Sequence, residues 1–91
     1  MENFSFSENE DVMVITTKDI LNRKKDILFV THDEDDGTWQ FLDGDEVNVE
    51  NAAIVSLAEI VSFDHTINVL FDLPLGGFAY RKSKKEKWIK G

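Results

Sequence analysis

Cysteine is absent from this 91-residue chain, which excludes disulfides, thiolate metal sites and cysteine nucleophiles at once. The absence fits a reducing compartment. One proline and five glycines leave no linker rich in either, and no repeat divides the sequence. No apolar run approaches the ~20 residues that cross a bilayer. The amino-terminal stretch MENFSFSENEDV is acidic and polar and lacks the basic-then-apolar order of a signal peptide. A cytoplasmic protein that does not engage a membrane is expected.

Basic residues are missing between Lys25 and Arg81, while Asp and Glu recur throughout that stretch. The formal charge is −8, with Lys and Arg confined to Lys18–Lys25 and Arg81–Lys90. An acidic body repels phosphates, so nucleic acid is not expected as a partner of the main surface. The same field would speed encounter with a basic protein.

What is present reads as one small α+β domain over residues 11–91, preceded by a frayed segment, 1–10. Phe4 and Phe6 of that segment are candidates to pair onto a sheet edge. Asp11–Ile15 reads as a strand, and Thr16 as the cap of a short helix, with Ile15 and Ile20 as its staple. Arg23, Lys24 and Lys25 suit the negative end of that helix. Ile27–Thr31 is continuously apolar, as in a strand covered on both faces. Thr38–Leu42 alternates, with Trp39 and Phe41 on one face and Gln40 on the other. Trp39 reads as core.

Residues 43–51 form a polar loop with a brief extended piece at Val47–Val49. Ser56 and Glu59 then make a capping box, with Val55 and Ile60 as its staple and Leu57, Ile60 and Val61 as one apolar stripe. Asp64 caps a second short helix with Ile67, Leu70 and Phe71 on its apolar side. Pro74 and Gly76–Gly77 turn the chain into a last strand, Phe78–Lys82. There Phe78 and Tyr80 face one way, Ala79 and Arg81 the other. The expected order is β-α-β-β-α-α-β, with a mostly antiparallel sheet carrying helices too short to stand alone. Trp88 and Ile89 are candidates to pack back from the tail.

Catalytic signals are weak. His32–Gly37 (HDEDDG) invites calcium, but with Gly37 at the sixth loop position the first would be His32 and the twelfth Asp43, where the motif needs Asp and Glu. Folding without a metal or cofactor is expected. His32 and His65 have no defined third partner, and Pro74–Gly77 lacks a phosphate-loop pattern. An interaction protein is therefore expected. The alternative is a small hydrolase or metal-dependent enzyme using the acidic hairpin and His32.

Three stretches carry a family resemblance: the acidic segment leading into Gly37, Trp39 and Phe41; the helix opening at Ser56–Leu57; and the helix, turn and aromatic strand from Leu73 to Tyr80. Together they resemble a bacterial family first catalogued as a domain of unknown function and later grouped with immunity proteins of polymorphic toxin systems. Thr31–His32 stands where that family carries an Arg–Glu pair. The resemblance implies a small intracellular protein that binds and neutralises a toxin.

A basic partner of that kind would meet Asp33, Glu34, Asp35, Asp36, Asp43, Asp45 and Glu46, with Gln40 between the two acidic loops. A strand of about five residues would hold those loops roughly 17 Å apart, bracketing a patch along the edge of the sheet.

Overall fold

The computed structural model describes residues 6–45 and 48–91. In chain order it contains β1 (Met13–Thr17), α1 (Lys18–Leu21), β2 (Phe29–His32), β3 (Trp39–Leu42), a 3₁₀ turn (Val49–Asn51) and β4 (Ala52–Ser56). Then follow α2 (Leu57–Phe63), a 3₁₀ helix (His65–Leu70), β5 (Phe78–Tyr80) and β6 (Ile89–Lys90). One six-stranded sheet runs in the order β4-β1-β3-β2-β5-β6, and only the β1–β3 pair is parallel. This is the expected α+β class, with two strands beyond those expected, β4 and β6.

Register divides the side chains between two faces. Val14 pairs with Val55, Val30 with both Phe41 and Ala79, and His32 with Trp39, all pointing to one side. Ile20, Leu57, Ile60, Val61, Ile67 and Leu70 from the helices join those strand residues in a single core. The helices therefore cover this face alone. Two-layer packing follows from their shortness: α2 has seven residues and no independent stability.

The caps explain where strands become helices. Ser56 Oγ accepts the Glu59 N–H at 3.1 Å, as the capping box predicts. At the first helix the cap is Thr17 rather than Thr16: Thr17 Oγ1 accepts the Ile20 N–H at 3.1 Å. Thr16 lies one residue earlier on the inward face of β1, where its buried hydroxyl donates to the Phe41 carbonyl at 2.7 Å. The strand runs two residues past the predicted end because β-branched threonine suits a pleated surface.

Other expectations need correction. Asp64 does cap the second helix, accepting the Thr66 N–H at 2.9 Å, but that helix is 3₁₀. Three residues per turn align Ile67 with Leu70 inside and leave Phe71 49% exposed. Val49 begins a 3₁₀ turn rather than ending an extended piece, and Val47 lies outside the described residues. Phe6 is core, not part of a frayed end or a sheet pairing. Its ring meets Trp39 edge-on at 5.0 Å and is 5% exposed. Phe4 lies outside the described residues.

β2 sits between β3 and β5, yet Phe29 and Thr31 are only half-buried, so the strand is covered on one face rather than two. From the tail, Trp88 packs against the core, while Ile89 stays exposed on β6.

Candidate partner-binding surface

The β2–β3 hairpin builds its acidic tip from its own carboxylates. The Asp33 N–H donates to the Thr38 carbonyl at 2.8 Å and the Gly37 N–H to the Asp33 carbonyl at 3.0 Å. Asp33 Oδ1 accepts the Asp35 N–H at 2.8 Å, and Asp36 Oδ1 the Thr38 N–H at 2.9 Å. Gly37 takes φ 75°, a left-handed position that a side chain would strain. Thr38, through its backbone N–H first and its side chain second, holds the Asp36 carboxyl below the usual aspartate value.

Glu34, Asp35 and Asp36 are exposed and Asp33 is half-buried. Among the described residues none of the four is in an ion pair. Asp33 and Asp36 thus shape the turn, and Glu34 and Asp35 are the carboxylates free of its hydrogen bonds.

The second acidic loop differs. Asp43 Oδ1 accepts the Asp45 N–H at 2.9 Å, and Asp45 is ion-paired with Lys25. Asp45, by hydrogen bond first and by charge second, raises the Lys25 ammonium above its usual value. Part of this loop's charge is therefore neutralised within the chain. Glu46 lies outside the described residues.

The two loops do sit at opposite ends of β3, with half-buried Gln40 between them. They do not mark an edge, however: β3 is an interior strand between β1 and β2. What they bracket is the face of the sheet that the helices leave open. The apolar side chains there, Met13 and Ile54 on one side of Gln40 and Phe78 and Tyr80 on the other, were not identified from the sequence. The alternation of Phe78 and Tyr80 with buried Ala79 was the one signal for them.

Neither histidine joins the hairpin acids. The His32 ring stacks on Trp39 with centroids 4.0 Å apart, and its Nδ1–H donates to the Leu73 carbonyl at 2.8 Å. The carboxylate it approaches is Glu8, at 3.8 Å. Glu8 in turn accepts the Trp39 indole N–H at 2.9 Å, while its other oxygen is buried without a partner. His65 is exposed at the start of the 3₁₀ helix. Among the described residues no three His, Asp or Glu side chains are grouped to hold a metal. No described helix is long and apolar enough to cross a membrane.

These features define a small two-layer α+β domain with an acidic hairpin at one end of its sheet. The chain belongs to the immunity protein Imm33 domain family, whose family model matches residues 14–91. No curated protein and no solved structure matches it. Membership implies an immunity-type role with a toxin as partner, and it suggests a non-enzymatic one.

Proposed function

We propose that this protein neutralises a toxin by binding it directly in the cytoplasm, and that the acidic hairpin tip is the charged part of the contact. The supporting observation is the set of exposed Glu34, Asp35 and Asp36 beside half-buried Asp33, which meets no cation among the described residues. Such a set attracts basic surfaces, and a toxin that acts on nucleic acid carries one. Gln40 and Asp43 extend the contact towards the far loop. Asp45 contributes less because Lys25 already holds it.

The enzymatic alternative draws on His32, whose ring is spent on Trp39 and Leu73. Binding is the better-supported reading.

Affinity capture with the tagged chain from its source cells tests the proposal. The expected catch is a protein that arrests growth when expressed alone and is harmless when co-expressed with this chain. Capture of no such protein, or co-expression without protection, overturns the reading.

A further inference from the structure

The second face of the sheet breaks the pattern that solvent imposes. An antiparallel sheet with one wet face alternates apolar-in with polar-out. Here β1, β4 and β5 are apolar on both sides: Met13 is 58% exposed, Ile54 68%, Phe78 40% and Tyr80 44%. Ile89 of β6, paired with Tyr80 on the same face, is 53% exposed. These side chains lie outside the buried core cluster that holds Val14, Val55 and Ala79 on the other face.

The residues form one surface through register. Ile54 pairs with Ile15, Ile15 with Gln40, Gln40 with Thr31 and Thr31 with Phe78. In the next row half-buried Phe29 pairs with Tyr80, and the face ends there at Leu42, which is buried. The Phe29 and Phe78 rings lie 6.2 Å apart and those of Phe78 and Tyr80 6.5 Å, so the aromatic half is continuous. Six strands at ~4.8 Å spacing make the face about 24 Å wide, the scale of the centre of a stable protein interface. Exposed apolar area of this kind marks an interaction site.

Charge selects the occupant. The hairpin tip at one end of the face holds Asp33 to Asp36, and Glu10 and Asp11 precede β1 at the same end. A second copy of the chain, also at −8, would be repelled, whereas a partner with an apolar centre and Lys or Arg beside it fits both features. We propose that the helix-free face of the sheet is where the toxin docks, its apolar segment lying across Gln40 and its basic side chains reaching the hairpin acids. This rests on the immunity reading above and adds which face carries it.

The test uses the toxin recovered by that capture, made inactive, and the triple variant I54T/F78T/Y80T, in which threonine keeps the strand propensity. The dissociation constant should rise at least a hundredfold, mostly through faster dissociation, while the association rate changes less than threefold. In the unsubstituted protein, the methyl resonance of Met13 should shift on toxin binding. That measurement decides the matter if the triple variant does not fold. Wild-type affinity in the folded variant, or an unmoved Met13 methyl, overturns the docking face while leaving the immunity reading intact. A wild-type dimer that the triple variant abolishes would assign the face to a second copy and also overturn it. Capture of no toxin removes the immunity reading and this inference together.

Discussion

Arg81 meets Asp64 at 2.6 Å beneath the sheet, with side chains 1% and 5% exposed. Every guanidinium N–H is used. Nε and Nη2 donate to the Ile27 carbonyl at 3.1 and 2.8 Å, and Nη1 donates to Thr66 Oγ1 at 2.9 Å and the Lys84 carbonyl at 3.2 Å. The Trp88 ring stacks on the guanidinium at 4.1 Å, closing it from water. One arginine thus joins β5, the strand entry at Ile27, the cap of the 3₁₀ helix and the tail.

Breaking this pair by removing one member leaves a buried charge unmatched, which costs about 3–5 kcal/mol. Asp64→Ala also removes the cap of the 3₁₀ helix. Its urea midpoint should fall far below that of the wild-type protein. Arg81→Lys should fall nearly as far, because a lysine cannot reproduce the forked donation to Ile27 and Asp64. A midpoint within measurement error of wild type in either variant would show that the pair does not hold these elements.

Phe6 lies before the family-matched span, which begins at residue 14, yet it fills the core beside Trp39 and Phe41. Phe6→Ala should therefore cost about 3–5 kcal/mol, as for a phenylalanine inside any core. A fragment starting at residue 11 should be destabilised at least as much. Thermal unfolding followed by Trp39 fluorescence reads both. A truncated chain that melts with the full one would return this segment to the frayed state expected from the sequence.

Local chemistry was the legible part. Ser56 and Asp64 cap as their spacing implies, and Trp39 is 1% exposed as its alternation with Gln40 predicts. What depends on distant pairing was not legible. Ala52–Ser56 is a strand because β1 lies beside it, and Ala52 and Ala53 carry little strand propensity of their own. The phase of Arg81 with Ala79 on the last strand points it inward, but its buried partner Asp64, 17 residues away, reads from the sequence only as a cap. The candidate surface was half legible. The hairpin acids were visible as a run, whereas the sheet order that moves β3 from the edge to the interior depends on a parallel pairing of Ile15 with Gln40.

The hairpin turn should carry a small acid-dependent term. Asp36 has its folded pKa lowered from 3.8 by the Thr38 hydrogen bonds. A depressed carboxylate contributes stability that is present above its unfolded value and lost as pH falls through the folded one. Asp36→Asn keeps an acceptor for the Thr38 N–H but has no charge to lose. The gap in melting temperature between wild type and variant should be constant above pH 3.8 and should close below it. A gap that widens on acidification would contradict the assignment.

Encounter with the toxin should depend on Glu34 and Asp35, the two hairpin carboxylates that no turn hydrogen bond engages. Reversal at Asp45 would break its pair with Lys25, and reversal at Asp36 would undo the turn, so neither isolates the effect of charge. The E34K/D35K variant changes the local charge by about four units without touching the backbone bonds. Steering acts before contact, so this variant should slow association at least tenfold while leaving dissociation nearly unchanged. Wild-type association should itself slow as salt rises from 0.02 to 0.5 M, because the screening length contracts to ~8 Å near 0.15 M and less beyond. At the highest salt the two proteins should associate at similar rates. Stopped-flow mixing with the inactive toxin measures all four conditions. Equal association rates at low salt would reduce the hairpin acids to solvated turn residues, and the charged part of the contact would then lie elsewhere on the molecule.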